Sequence, residues 1–208
     1  MAIKDNREYR SIPLELRTEQ REGEEPSFFV EGYASTFEPY VLFEEDGIQY
    51  KEQIDPKAFE ECNMEDVIFC KDHCGTVFAR TSNGTLELSV DEKGLFTRTD
   101  LSKTTSAKAM YEEIQAGMYQ QMSFAFTVQT DEYDKKEHLR TIRKIKKLYD
   151  VSAVNFPANP GTDISVATRS YFDGVIEMER AERLAKEQRL NELRSEIHSI
   201  LGGKPNED

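Results

Sequence analysis

The stretch Gln121-Met122-Ser123-Phe124-Ala125-Phe126-Thr127-Val128 decides how the rest of the chain is read. With a period of two, Met122, Phe124, Phe126 and Val128 share one face of a strand, and Ser123, Ala125 and Thr127 share the other. The first face is bulky enough to anchor a core. The second is made of residues too small to fill space, and it begins with a hydroxyl. It leaves room for something beside Ser123.

Just upstream, residues 104–117 read as a helix. Thr104 or Thr105 can cap it, Ala107, Met110, Tyr111 and Ile114 form one face, and Gly117 ends it. Before that, 84–90 and 95–101 alternate as strands around Asp91-Glu92-Lys93-Gly94, a tight hairpin. Residues 67–70 form a short apolar run that leads into Lys71-Asp72-His73-Cys74-Gly75. Asp55 with Pro56 suggests the start of a short helix over 54–62. Residues 28–37 have strand composition, with Gly32 as the expected bulge, and Ile12, Leu14 and Leu16 suggest an edge strand. Downstream, 130–138 is a polar turn and 138–156 a long return strand, with 157–163 closing the domain. Beyond about residue 170 the chain is charged, rich in helix formers and free of proline until its last residues. One long helix is expected there, with Leu190, Leu193, Ile197 and Leu201 on one stripe. The expected organisation is a mostly-β domain with short helices over 1–168 and a helical tail over 169–208.

The 208 residues suffice for one good-sized core. A net charge of −13 argues against general nucleic-acid binding, which needs a basic footprint. No apolar run approaches the roughly 18–20 residues that span a bilayer, so no membrane partner is expected. The N-terminal residues lack the apolar segment of a secretory signal, and a cytoplasm-like compartment is expected. Cys62, Cys70 and Cys74 fit that expectation as free thiols. Cys70, His73 and Cys74 have no fourth ligand at a recognised spacing, so neither a metal nor another cofactor is expected.

Three histidines are present. His138 and His198 sit among charges and read as surface residues. His73 follows an apolar strand, and from spacing alone its plainer reading is a ring bonded to backbone at a strand end. Leu148, Asp150, Ser152 and Val154 alternate on one strand face, which sets a carboxylate among largely apolar neighbours, where it needs a partner. A hydroxyl, a histidine to take its proton and a carboxylate to orient that histidine form a complete acyl-transfer set. Ser123, His73 and Asp150 could supply it. Chain order does not decide such a set; geometry does. Cys74 or Cys70 as nucleophile is a weaker alternative, since adjacent His73 and Cys74 point to opposite faces if extended.

Several segments together carry a resemblance. They are Phe29-Val-Glu-Gly-Tyr-Ala-Ser-Thr-Phe37, Glu52-Gln-Ile-Asp-Pro-Lys-Ala-Phe59, the histidine in Lys71-Asp-His-Cys74 and Asp91-Glu-Lys-Gly-Leu95. Further on come Gly117 ahead of Met122-Ser-Phe-Ala-Phe126, and Asp150-Val-Ser-Ala-Val-Asn-Phe-Pro-Ala158. In order and spacing, over roughly 8–168, the chain resembles the prohead (capsid maturation) serine proteases of tailed phages, related in fold to herpesvirus assemblins. Lys57, Ala79, Ala125 and Cys74 depart from that family's usual residues. The resemblance implies an assemblin-like β-barrel with Ser123 as nucleophile, His73 as general base and Asp150 as third member. It also implies oxyanion donors near Pro157–Thr162, and an extended peptide lying along the small-residue face. The expected substrates are the scaffold segment of the phage major capsid protein and the protease itself, inside the assembling prohead in the host cytoplasm, with a homo-oligomeric enzyme. A non-catalytic assembly protein on the same fold is the alternative.

Overall fold

The computed structural model describes residues 6–12, 17–18, 28–155 and 166–201. The chain divides into two compact units, Met1–Ser165 and Val166–Asp208. The first contains strands β1 (Glu8–Ile12), β2 (Arg17–Thr18), β3 (Phe29–Thr36), β4 (Tyr40–Glu45), β5 (Ile48–Ile54), β6 (Ile68–Lys71) and β7 (Cys74–Arg80). They are followed by β8 (Leu86–Val90), β9 (Gly94–Asp100), helix α1 (Thr105–Gln115), β10 (Gln121–Asp134) and β11 (Leu139–Val154). Among its described residues the second unit is one helix, α2 (Val166–Ile200).

Among the described residues the strands form two sheets, and the expected closed barrel is not formed. The larger sheet runs β1-β10-β11-β5-β4, with β6 on β11 and β7 on β6; the smaller runs β2-β3-β9-β8. In the larger sheet β11 shares one side between two short parallel partners. Its start, Leu139–Ile142, pairs with β5, and its end, Asp150–Ala153, pairs with β6.

The core follows the bulky face of β10. Met122, Phe124 and Phe126 are fully buried, joined by Phe69, Leu95, Leu148, Val151, Met110 and Ile114. Each such side chain contributes about 1.5–3 kcal/mol through burial. α1 lays Ala107, Met110, Tyr111 and Ile114 into it. Its N-terminus is closed by Thr104, whose hydroxyl accepts from the Ala107 N–H at 3.0 Å. Its C-terminus is a Schellman turn, with Gly117 N–H on the Ile114 carbonyl and Met118 N–H on the Glu113 carbonyl, both at 2.9 Å. Gly117 takes the required left-handed conformation, φ 77°.

Three local expectations are corrected. Asp55 does accept from the Lys57 N–H, but Ile54 still belongs to β5 and 56–61 make successive tight turns, with no helix. The Ala58 and Asn63 carbonyls are taken by Ile145 and Leu148 of β11, so they are lost to a helical ladder. The irregularity in β3 falls between Tyr33 and Ser35, while Gly32 pairs regularly with Thr97. An edge strand is present, but at Glu8–Ile12, ending where the expected one of Ile12, Leu14 and Leu16 begins; Leu14 and Leu16 lie outside the described residues.

Candidate active site

Ser123 sits on β10 with Ser11 of β1 on one side and Ser152 of β11 on the other. Asp150 is two pairs further along, opposite Ala125. Simple alternation would put Asp150 on the core face with Leu148. The β10–β11 register shifts between Ala125 and Phe126, so Tyr149 is an extra residue: Leu148 pairs with Phe126 and Asp150 with Ala125. This bulge leaves Leu148 in the core and turns Asp150 to the Ser123 face, an instance of a bulge re-aiming a side chain. Leu148 and Asp150 therefore do not share a face, contrary to the alternation read from sequence.

His73 comes from the two-residue turn of the β6–β7 hairpin, between paired Lys71 and Cys74. Asp72 and His73 both have positive φ, 48° and 57°, the geometry that hairpin turns favour but few non-glycine residues adopt. The turn is tied down from β11: Asp72 N–H donates to the Ala153 carbonyl at 3.2 Å, and His73 N–H to Ser152 Oγ at 3.2 Å.

The three side chains meet. His73 Nδ1 lies 2.6 Å from Asp150 Oδ1, and His73 Nε2 lies 2.6 Å from Ser123 Oγ. Asp150 and Ser123 are buried; the His73 side chain keeps 17% exposure. A carboxylate on Nδ1 fixes the ring so that Nε2 faces the hydroxyl, the arrangement in which a serine can attack a carbonyl and lose its proton to imidazole. The Ser123 hydroxyl also donates to the Arg10 carbonyl at 2.7 Å. One proton therefore has two acceptors. While it rests on Arg10, Ser123 is not poised for attack.

The small-residue face is thus less open than expected. Ser123 and Ala125 are fully buried. Tyr9 packs edge-on against the His73 ring, centroids 4.8 Å apart. On the other face of β1, Arg10 donates to Glu52 (2.5 and 2.7 Å) and to Glu8. Arg140 donates to Glu8, Glu52 and Asp131, and the Tyr40 hydroxyl donates to Glu52. Burial alone would lower the Arg10 pKa, but the Glu52 carboxylate raises it well above its ordinary value. Burial, then the charge of Glu52, likewise pushes the Tyr40 hydroxyl well up. This buried cluster lies on the strand whose backbone carbonyl, that of Arg10, touches Ser123.

The sequence reading missed Tyr9, Arg10 and the part taken by Ser152. Only Ser152 carried a signal, its placement two residues from Asp150. The thiols make poor nucleophiles on what surrounds them. Burial pushes Cys70 up to about 12 and Cys62 to about 11, and His73 Nε2 faces Ser123. His138 is not simply solvated: its ring packs against Tyr50 and its Nδ1 is 3.2 Å from the Tyr133 hydroxyl. The segment expected to supply oxyanion donors, 157–162, lies outside the described residues. Among the described residues, no group of three or more His, Cys, Asp or Glu could hold a metal ion, and no helix is long and apolar enough to cross a membrane.

Residues 13–174 match the family described as caudovirus prohead serine protease. No curated protein and no solved structure matches the chain.

Proposed function

The chain belongs to the caudovirus prohead serine protease family, and from that premise we propose that it cuts the scaffold segment from the phage major capsid protein, and finally itself. The work is done inside the assembling prohead in the host cytoplasm. Ser123, His73 and Asp150 are its catalytic residues, and the unbroken line of contacts from Asp150 through His73 to Ser123 carries this reading. The Ser123 proton leaves the Arg10 carbonyl for His73 Nε2 as Oγ bonds to the scissile carbonyl carbon. His73, held by Asp150, then protonates the departing amine, and the C–N bond breaks. Water, deprotonated by the same ring, hydrolyses the acyl-enzyme and restores the hydroxyl. The set needs no cofactor. The tail from about residue 169 is the segment by which the enzyme meets its partners, the capsid protein's scaffold segment foremost.

Co-expression of capsid protein with this chain, and with Ser123→Ala, tests the reading by mass spectrometry of the capsid protein. Trimming at one defined bond is expected with the wild type and none with the variant. Equal trimming by both would overturn the serine mechanism. No trimming by either, with shells still formed only when the chain is present, would point to a non-catalytic assembly role.

A further inference from the structure

Ser152 is fully buried, and its hydroxyl touches four groups. It donates to Asp150 Oδ1 at 2.9 Å. It accepts the His73 backbone N–H at 3.2 Å, and the Cys70 thiol lies 3.1 Å away. His73 Nδ1 is 3.3 Å distant, though that nitrogen already faces Asp150 at 2.6 Å. A hydroxyl has one proton to give and two lone pairs to fill. Here the proton goes to the carboxylate, one lone pair takes the His73 amide, and the other faces a thiol that burial keeps protonated. Every capacity of the group is used.

The geometry points to Ser152 as the positioning residue of the relay, the single atom that sets both the base and its carboxylate. The claim rests on the assignment of Ser123, His73 and Asp150 to catalysis. The physical need is plain. His73 rides on a turn with two successive positive φ values, which costs strain unless the surroundings hold it. Asp150 owes its direction to the Tyr149 bulge, where ladder hydrogen bonds are interrupted. Both sources of play meet at Ser152, which pins the backbone of one and the side chain of the other. In the β6–β11 pairing Ser152 stands opposite Cys70, so its hydroxyl lies between the two strands that carry the His73 turn and Asp150. Loss of the hydroxyl frees the Asp150 carboxylate to rotate and leaves the His73 N–H unpaired. A displacement of about 1 Å at such a base costs about 10²-fold in rate.

The test uses the full chain and a fluorophosphonate probe, in which Ser123 Oγ displaces fluoride at phosphorus and His73 takes the proton. Ser152→Ala is expected to lower the limiting labelling rate about 10- to 100-fold with the half-saturating probe concentration unchanged. The far-downfield imidazole N–H resonance that reports the His73–Asp150 hydrogen bond should broaden or vanish in the same variant. Ser152→Thr combined with Cys70→Ala keeps the hydroxyl, makes room for the added methyl, and should recover both. Labelling at the wild-type rate with the resonance intact would overturn the inference. Should Ser152→Ala not fold, hydrogen exchange in the wild type decides instead: a His73 amide exchanging as freely as an unstructured one would overturn it. If wild-type Ser123 resists the probe altogether, the protease reading falls, while the resonance and the amide still judge Ser152.

Discussion

In the proposed mechanism His73 Nε2, 2.6 Å from Ser123 Oγ, and Asp150 on the opposite ring nitrogen give the three residues unequal duties, and on that proposal their substitutions should differ accordingly. Ser123→Ala removes the attacking atom and His73→Ala removes its proton acceptor, so either should cut kcat by about 10⁶-fold. Asp150→Asn keeps the shape but supplies a donor where Nδ1–H needs an acceptor, and about 10⁴-fold is expected. Single-turnover cleavage of capsid protein measures all three, and an Asp150→Asn loss equal to that of Ser123→Ala would mean that Asp150 does more than orient. Tyr40 tests the buried ion cluster by pH. Its folded pKa is raised, so the stability it contributes is fully present below its unfolded value near 10 and is lost as pH rises through the folded value. Tyr40→Phe should cost about 1–2 kcal/mol at neutral pH, through the lost hydrogen bond to Glu52, and flatten the alkaline decline. Urea titrations at neutral and alkaline pH would show an unchanged slope if Tyr40 were irrelevant.

The β3–β9 pairing brings Gly94 so close to its partner that an added Cβ would stand 2.0 Å from the Ser35 carbonyl oxygen. That contact involves backbone on both sides, so Gly94→Ala cannot be relieved by a rotamer change and should cost about 3 kcal/mol or more in a denaturant titration. β1, at the edge of the large sheet, is held differently. Arg10→Met leaves Glu8 and Glu52 buried with one cation fewer, and a loss of about 3–5 kcal/mol in the same titration is expected. A stable Arg10→Met protein would mean that backbone pairing alone secures the strand. Gly94 was legible in sequence as part of the Asp91–Gly94 hairpin, because turn chemistry is local. So were α1, with its threonine cap and glycine stop, and the core face of β10. The Arg10 cluster was not, since Glu8, Arg10, Glu52 and Arg140 are brought together only by pairing of distant strands, and a charged residue in a strand reads as exposed. The Tyr149 bulge was equally hidden. A period of two carries no mark of where it is interrupted, so the face bearing Asp150 was misread although Asp150 itself was chosen. Sheet closure failed for a similar reason: the division of β11 between β5 and β6 is a matter of register over long separations, which no local pattern records.

The two units of the molecule have different surfaces, and this bears on how a weak enzyme could reach all its substrates. The first unit carries the large core and the candidate site. The second, among its described residues, holds one helix of 35 residues, about 50 Å long at 1.5 Å per residue, on which Leu190, Leu193, Ile197 and Ile200 are exposed. Leu190, Leu193 and Ile197 are three members of the stripe anticipated from sequence; its fourth, Leu201, is exposed just past the helix end, Ile200 extends the stripe within it, and a helix cannot bury its own stripe. It favours a partner helix, and the partner proposed is the scaffold segment of the capsid protein, which must be in contact with this chain for cleavage to occur. Capture by the tail would raise the local substrate concentration, so kcat could be modest and every copy still be cut. A chain ending at Ser170 should therefore label with fluorophosphonate at the wild-type rate yet be depleted at least tenfold from purified shells. Replacing Leu190, Leu193 and Ile197 together by Gln should reproduce that depletion in the full-length chain while leaving the helix in place by circular dichroism. Wild-type amounts of the Gln variant inside shells would remove the stripe as the packaging element. Sedimentation of the wild type as a dimer that the same substitutions dissociate would show that the stripe's partner is a second copy of this chain.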